Sequence, residues 1–507
     1  MTRTSGTRAL GILGVAALLV AGAASAQTPV RGGTLRVATA SDHTTLDPHF
    51  ATMANELNIF HAVLNTLVGV DRNLHLMPEL AESWKWDTET TLTLALRKGV
   101  KFHDGTDFDA AAVKFNIDRL MDPATKSRLA SQIDEVKAVE VVEPHMVRFL
   151  LKYPSAGLVA TLSHVPGMMM SPTAVKKFGK DIARAPVGTG PFKFVEWVRD
   201  DHLTVERFDG YWDKGKPYLD RVVFRPIPDT NVAVIALKTA AADVVTVVEP
   251  KDVAGLRGRR DIVYAESPGL NYYMIRLNVS QPPFDNRTVR LAFAHAIDRE
   301  SIAKGLFFGA VRVATGPITA ASWAYSPEIK AYGRDVAKAK ALLGEAGKAG
   351  GVKFEMQSLP NPIVRRIGEV VKAQAAEIGL DITLAPMEAA KMMQNSLSMN
   401  YQAMLSYRSG REDPDGSTYR DFHTTGAFNR MKYSNAKMDE LLLRARTTSV
   451  PEERKALYAQ VQKLVLDDSP MIFLVEMPTG QAVSAKVKNF VHYPNMYVKL
   501  AGVWLEK

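Results

Sequence analysis

The chain of 507 residues contains no cysteine. It can therefore form no disulfide bond, carry no lipid on an N-terminal cysteine and use no thiolate as a nucleophile. After residue 26 it also lacks any apolar run that approaches the roughly 20 residues of a membrane-spanning helix. These absences predict a soluble mature chain stabilised by its hydrophobic core alone, which an apolar content of 46% permits.

The first 26 residues have the three parts of a secretory signal peptide. Arg3 and Arg8 supply a basic start, an apolar run follows from Ala9 to about Ala24, and small residues occupy Ala24 and Ala26. The apolar run is too short for the alternative, a membrane anchor. We expect cleavage after Ala26 and, since no lipid anchor can form, a location in the periplasm.

The excess of positive charge does not indicate a nucleic-acid-binding protein. The formal net charge is +9; without Arg3 and Arg8 the mature chain keeps 61 basic and 54 acidic residues, or +7. Basic residues alternate with acidic ones along the chain instead of forming a stripe, and the one dense basic group, Arg257 to Arg260, reads as a solvated loop.

Motifs typical of enzymes are also missing from the sequence. It has no Gly-x-Ser-x-Gly, no His-Glu-x-x-His and no Walker Gly-Lys-Ser/Thr motif. Gly188-Thr-Gly190 leads into a proline and a strand, so it is not a dinucleotide-binding loop. The eleven histidines are scattered. We therefore expect a protein that is not an enzyme and that holds no cofactor or metal.

The hydrophobic periodicity predicts an α/β fold. Alternating segments at 34–40, 89–97, 192–198 and 203–208 predict strands, and the last two predict a hairpin. Helical spacing predicts helices, among them one that begins after the N-cap Asp109 and one that ends at Gly379. The helices predicted in the second half of the chain span residues 287–302, 336–346, 362–378, 438–446 and 451–466.

Several segments together resemble family 5 of the extracellular solute-binding proteins, the dipeptide-, oligopeptide- and nickel-binding subunits of ABC importers. The segments are Leu80-Ala-Glu-Ser-Trp-Lys-Trp86, Leu94-Ala-Leu-Arg-Lys-Gly-Val-Lys-Phe-His-Asp-Gly-Thr106, Val187-Gly-Thr-Gly-Pro-Phe192, Tyr211-Trp212, Pro217-Tyr-Leu-Asp220, Pro283-Phe-Asp285, Val289-Arg-Leu-Ala-Phe-Ala294, Ala296-Ile-Asp-Arg299 and Asp413-Pro-Asp415. Each is weak alone, but their order and spacing are specific and cover nearly the whole mature chain.

The resemblance implies a two-lobed periplasmic-binding-protein-like fold of type II, in the large peptide-binding class, that closes on its ligand by a hinge motion. By analogy, lobe I comprises residues 27–270, with an extra subdomain at about 60–187, and the chain returns to lobe I over 480–507. Lobe II comprises residues 271–479. The crossings near Tyr272 and near Met477-Pro478 are expected to form the hinge.

Two adjacent arginines, Arg365 and Arg366, are candidates for binding a ligand carboxylate. They occupy the first turn of the predicted helix after Pro362, where the helix dipole disfavours cations and free N–H groups favour an anion. Relatives place a carboxylate-binding arginine after a segment similar to Asn361-Pro362. The alternative, two solvated arginines, remains equally open.

The segment that contains Asp413 and Asp415 is a second candidate site. Relatives that bind peptides use an aspartate in this loop to pair with the ligand's α-ammonium group, although Asp-Pro and Asp-Gly also form ordinary turns. Arg408 and Arg411 suggest an anionic group on the ligand or an ion pair within the loop. Tyr407 stands where relatives often have tryptophan, which leaves the ligand class open.

Three further residues are candidates through the resemblance alone. His43 and Thr45 lie in a loop that faces the cleft in relatives, and Tyr272 lies at the expected hinge. For His43 the alternative is an exposed loop histidine.

The sequence as a whole predicts a periplasmic substrate-binding subunit that captures a short peptide and delivers it to a permease and its ATPase subunits. We expect a monomer. A receptor for another acidic solute, such as an opine or a metal chelate, is an alternative, and a periplasmic hydrolase is a remote one.

Overall fold

The computed structural model of the protein describes residues 1–2, 28–51 and 56–507. The predicted signal peptide and its cleavage site after Ala26 lie outside the described residues, apart from residues 1 and 2. None of the helices in the described part of the chain is both long and apolar enough to cross a membrane.

The described residues form nineteen β-strands in mixed α/β order, which confirms the predicted class. The strands are β1 (Thr34–Thr39), β2 (Val68–Val70), β3 (Leu76–Pro78), β4 (Ala81–Thr88), β5 (Thr91–Leu96), β6 (Val136–Glu143), β7 (Met146–Leu151), β8 (Phe192–Val198), β9 (His202–Arg207), β10 (Arg221–Pro226), β11 (Val244–Val245), β12 (Ile262–Leu277), β13 (Arg312–Val313), β14 (Val352–Ser358), β15 (Leu380–Pro386), β16 (Ala403–Arg408), β17 (Met471–Ser484), β18 (Val487–Lys488) and β19 (Trp504–Leu505).

Fourteen α-helices accompany these strands within the described ranges. They are α1 (Glu56–Val63), α2 (Ala110–Met121), α3 (Leu158–Thr161), α4 (Pro172–Phe178), α5 (Thr230–Lys238), α6 (Pro250–Val253), α7 (Arg287–Ala296), α8 (Arg299–Phe307), α9 (Val336–Glu345), α10 (Pro362–Ala376), α11 (Ala389–Ser398), α12 (Asp415–Phe422), α13 (Ala436–Thr447) and α14 (Pro451–Asp468).

Local sequence signals explain most of these boundaries. The Asp109 carboxylate accepts the Ala112 N–H at 2.8 Å and caps α2, as expected. Gly379 follows α10 with φ of +92°, a conformation that side chains rarely adopt, as expected for a C-terminal stop; α10 itself ends at Ala376, two residues before the predicted end. The predicted hairpin is β8 paired antiparallel with β9.

The single helix predicted over residues 287–302 is wrong. The chain becomes extended at Ile297, and the Asp298 carboxylate accepts the Ser301 N–H at 3.0 Å, so Asp298 caps a new helix, α8. The Gln374 side chain on α10 accepts the Asp298 N–H at 2.9 Å. The break therefore depends partly on a residue distant in sequence.

A mixed eleven-stranded sheet runs through the molecule in the order β15-β14-β16-β12-β17-β11-β1-β10-β9-β8, with β13 also paired to β17. Its two longest strands, β12 and β17, are antiparallel neighbours. The predicted crossings are adjacent here, because Asn271 lies opposite Met477 after a register shift. At that shift a Cβ on Gly269 would lie 2.3 Å from the Met477 carbonyl oxygen, so only glycine permits this close approach.

The buried apolar residues form separate cores on either side of these crossings. Three cores draw on residues 35–270 and 482–503, and the two large remaining cores draw on residues 272–475. One of the first three covers the four-stranded antiparallel sheet β4-β5-β7-β6 together with α2, within the segment predicted as an extra subdomain. The predicted lobe boundaries themselves, 27–270, 271–479 and 480–507, remain predictions.

Candidate functional site

A cleft of about 460 Å³ lies between two segments that are distant in sequence. The first wall is formed by lining residues between Ser131 and His164, and the second wall by lining residues between Arg411 and Thr447. The first wall belongs to the half predicted as lobe I and the second to the half predicted as lobe II. The volume is in the range of small-molecule sites, which are commonly 300–1,000 Å³.

The two walls contact each other directly. The Ala156 N–H of the first wall donates to the Arg446 carbonyl oxygen of the second wall at 2.8 Å. The Tyr153 ring of the first wall lies 5.6 Å from the Arg446 guanidinium carbon. The structure is therefore closed at this edge of the cleft.

Both predicted aspartates line the second wall, but each is already paired with an arginine of the same wall or of the helix behind it. Asp413 accepts both terminal nitrogens of Arg454 at 2.7 Å, and both side chains are buried. Asp415 accepts Nη2 of Arg446 at 2.7 Å, and the Arg446 guanidinium stacks 3.5 Å from the centre of the Tyr419 ring. Guanidinium groups of the protein therefore occupy the two carboxylates that were predicted to bind a ligand ammonium group.

Sequence reasoning missed Arg446 and Arg454 as the ion-pair partners of the two aspartates. Arg446 follows Asp415 by 31 residues, and Arg454 follows Asp413 by 41. On α13 and α14 they look like ordinary surface arginines of amphipathic helices, and only the packing of α13 against α12 and α14 brings them to the aspartates.

Arg408 lies behind the second wall and not among its lining residues. Its Nε donates to the buried Asp421 carboxylate at 2.8 Å. Arg408 thus forms an ion pair inside the protein, between the end of β16 and α12. Tyr272, opposite Arg408 in the sheet, is fully buried, and Tyr407 is exposed beside Tyr273, 5.3 Å between ring centres. None of these three side chains lines the cleft.

Arg365 and Arg366 lie outside the cleft as well. Both are exposed and border a shallow surface depression with Leu306, Glu369 and Val370. The N–H groups that were expected to bind an anion are capped, since the Asn361 side chain accepts those of Ile363 at 2.9 Å and Val364 at 3.5 Å.

His43 and Thr45 pack within the first half of the chain. His43 is buried near Trp197, with ring centres 6.4 Å apart, and burial lowers the pKa of His43. The Thr45 hydroxyl accepts the Asp47 N–H at 3.1 Å. Neither residue lines the cleft, so in this closed form their predicted contact with the ligand has no geometric basis.

Arg411 lines the cleft, together with Arg420, which sequence reasoning missed; ligand binding by Arg411 stays a prediction. Both guanidinium groups are half-buried, and within the described residues neither has a carboxylate oxygen within 4.0 Å. Burial lowers the pKa of Arg411. Burial, followed by the nearby charges of Arg411 and Arg408, lowers the pKa of Arg420 to about 10.

The first wall carries the opposite charge. Burial raises the pKa of Glu135 to about 7, with smaller contributions from the charges of Asp134 and Asp415. The Ser155 hydroxyl donates to Glu135 at 3.0 Å, and Asp134 is exposed at the edge of the cleft. The cleft therefore presents acidic groups on one wall and free guanidinium groups on the other.

No group of three or more His, Asp or Glu side chains with metal-binding geometry occurs in the parts of the chain that the structure describes.

Comparison with known proteins agrees with this geometry. Residues 75–429 match the family described as bacterial extracellular solute-binding proteins, family 5 Middle. The glutathione-binding protein GsiB of Shigella dysenteriae is 34% identical over 516 aligned positions, which cover 99% of this chain and 96% of GsiB. The chain belongs to family 5 of the bacterial extracellular solute-binding proteins, which confirms the resemblance inferred from its motifs.

Solved structures share the fold. The periplasmic binding protein DppA of Helicobacter pylori, in complex with the peptide STSA, matches with a TM-score of 0.79 at 28% identity and covers 94% of this chain and 99% of its own. AgaA of A. tumefaciens R10, in complex with agropinic acid, matches with a TM-score of 0.79 at 26% identity, with the same coverage. The predicted two-lobed periplasmic-binding-protein fold is confirmed.

Proposed function

We propose that this protein is the periplasmic substrate-binding subunit of an ABC importer and that it captures a short peptide in the cleft between residues 131–164 and 411–447. The observation that carries the proposal is that two remote segments, from different hydrophobic cores, build one cleft of about 460 Å³ and contact each other at one edge of it. A ligand stabilises the closed form by as much as it binds that form more tightly than the open one. Relatives named for binding glutathione or in complex with a peptide support a peptide as the solute.

We also propose that the protein is exported, that it delivers its solute to a membrane transporter and that it acts as a monomer. The predicted signal peptide and the lack of a cysteine favour a soluble periplasmic protein. A permease with its ATPase subunits would receive the solute, and the binding protein itself would act as a monomer without nucleic acid. Fractionation of cells that express the full chain, with mass spectrometry of the mature N-terminus, tests export and cleavage after Ala26.

We further propose that the cleft binds its solute without chemical change. The cleft hydroxyl of Thr425 lies 3.0 Å from His423 Nδ1, but that nitrogen also accepts the Thr425 N–H at 3.1 Å, as in a local turn. The other ring nitrogen of His423 lies 3.8 Å from Asp439, beyond hydrogen-bonding distance. The Thr425–His423 contact therefore lacks the hydrogen-bonded third group that orients the base in a hydrolase.

Titration calorimetry of the mature protein with reduced glutathione, Ala-Ala, Ser-Thr-Ser-Ala and agropinic acid tests the function. We expect one-to-one binding of at least one peptide, a smaller radius of gyration by X-ray scattering and unchanged ligand by mass spectrometry. Binding of agropinic acid alone would favour the opine alternative, which the free Arg411 and Arg420 keep open. Failure to bind any of the four, or conversion of a ligand to product, would contradict the proposal.

A further inference from the structure

The charged groups of the cleft differ in whether the protein already neutralises them. Asp413 is paired with Arg454, and Asp415 with Arg446. The Glu412 carboxylate accepts hydrogen bonds from Tyr497 and Asn495, each at 3.2 Å. In the described part of the chain, Arg411 and Arg420 are the cationic lining residues without a carboxylate oxygen within 4.0 Å.

The protein itself restrains the guanidinium group of Arg420 and, for Arg411, the backbone and the base of the side chain. Arg420 lies over the Phe428 ring, 4.0 Å from its centre. The backbone N–H of Arg411 donates to the Ser417 hydroxyl at 3.1 Å. A Cβ on Gly416 would lie 2.9 Å from Arg411 Cγ, so glycine leaves room for the Arg411 side chain. Two like charges are therefore kept near each other before any ligand arrives.

The neighbours of this pair do not neutralise it. Arg408, which adds a further positive charge nearby, is matched by Asp421. Glu412 attracts Arg411, and Asp421 and Asp134 attract Arg420, but only from beyond ion-pair distance. A half-buried charge without a partner is unfavourable, and a carboxylate can accept two parallel hydrogen bonds from each guanidinium group.

We infer that Arg411 and Arg420 form an anion subsite and that the solute is an acidic peptide with two carboxylates and one ammonium group. This inference rests on the proposed function and deepens it. One carboxylate would neutralise only one of the two cations, whereas two carboxylates balance both. The ammonium group then faces Asp134 and Glu135 on the first wall. This orientation is opposite to that predicted from the sequence, which placed the ammonium group at Asp413 or Asp415.

The subsite is tested by affinity measurements that combine the loss of one charge on the protein with the loss of one carboxylate on the ligand. The ligands are reduced glutathione and its glycine amide, and Glu-Ala with Gln-Ala, each pair differing by one carboxylate. The proteins are the wild type, Arg411→Gln, Arg420→Gln and Arg420→Lys, with Arg444→Gln as the control. Arg444 is on α13 but its side chain is exposed and does not line the cleft.

We expect the wild type to bind the acid of at least one pair at least tenfold more tightly than its amide, about 1.4 kcal/mol. Arg411→Gln and Arg420→Gln should reduce that ratio of affinities to threefold or less, mainly because the variants bind the acid more weakly. Arg420→Lys should keep part of the ratio, because it retains the charge without the planar fork. Arg444→Gln should leave every affinity within twofold, and thermal unfolding identifies any variant that fails to fold.

The outcomes separate the two proposals. If the wild type binds peptides but the acid-to-amide ratio is near one, or is unchanged in Arg411→Gln and Arg420→Gln, the anion subsite is wrong and the proposed function stands. Should Arg420→Gln fail to fold, the ratio of Arg411→Gln decides by the same criterion. If the wild type binds none of the peptides tested, both proposals are wrong.

Discussion

Asp413 and Arg454 form a bidentate ion pair behind the second wall of the cleft, with both nitrogen–oxygen distances at 2.7 Å. Arg454 also donates to the Tyr458 hydroxyl at 3.1 Å and to the Ala445 carbonyl oxygen at 2.9 Å. The pair therefore joins the loop after β16 to both α13 and α14. It makes Asp413 a residue that positions the second wall.

Removal of Arg454 should destabilise the protein strongly. Arg454→Met leaves the buried Asp413 carboxylate without its partner, and such changes cost about 3–5 kcal/mol. Differential scanning calorimetry should show a clearly lower Tm. Arg444→Met, at an exposed position on α13, is the control and should change stability by about 0.5 kcal/mol or less. Equal melting curves for both variants would contradict the structural role of the pair.

The backbone hydrogen bond between the walls should contribute to ligand affinity. Ala156→Pro removes the N–H that donates to Arg446, which costs about 0.5–1.5 kcal/mol in the closed form, or roughly threefold to tenfold in Kd. Calorimetric titration with the best peptide measures the change. Ala156→Ser keeps the N–H and should bind as the wild type does; a proline variant with wild-type affinity would show that this edge does not take part in closure.

Glu135 should make stability depend on pH. Burial raises its pKa from 4.5 to about 7, so between these values the folded protein binds more protons than the unfolded chain. Stability therefore falls as pH rises from about 4.5 to about 7 and is level above that range. Glu135→Gln should remove this penalty and gain about 1–3 kcal/mol at pH 8 relative to pH 4.5.

Melting temperatures of the wild type and Glu135→Gln at several pH values check this expectation. The exposed substitution Glu345→Gln serves as the control and should follow the wild type throughout. Parallel curves for the wild type and Glu135→Gln would mean that Glu135 is ionised in the folded protein at neutral pH.

Arg365 and Arg366 should be dispensable for binding. Both are exposed and lie outside the cleft, so the double variant Arg365→Ala with Arg366→Ala should keep peptide affinity within twofold. It should also keep the discrimination between free and amidated C-termini. A tenfold loss in titration calorimetry would restore the carboxylate-binding role that the sequence suggested for them.

Much of the fold could be predicted because its signals are local. The cap at Asp109, the stop at Gly379 and the β8–β9 hairpin depend on residues a few positions apart, and all three are present. The helix predicted over 287–302 was wrong where Asp298 begins a second helix and where Gln374, from a distant helix, binds its backbone. Hydrophobic spacing alone does not distinguish one long helix from two shorter helices that follow each other along the chain.

The sequence by itself determined the α/β class, the family and the loop of the second wall, because periodicity, turn residues and ordered motifs are written along the chain. Only the tertiary structure decided which charged side chains of the second wall lack an ion-pair partner. Asp413 and Asp415 are paired with arginines 41 and 31 residues away, whereas Arg411 and Arg420 have no carboxylate oxygen within 4.0 Å among the described residues. The reason is that ion pairs form wherever helix packing brings side chains within about 4 Å, and no local pattern encodes that distance.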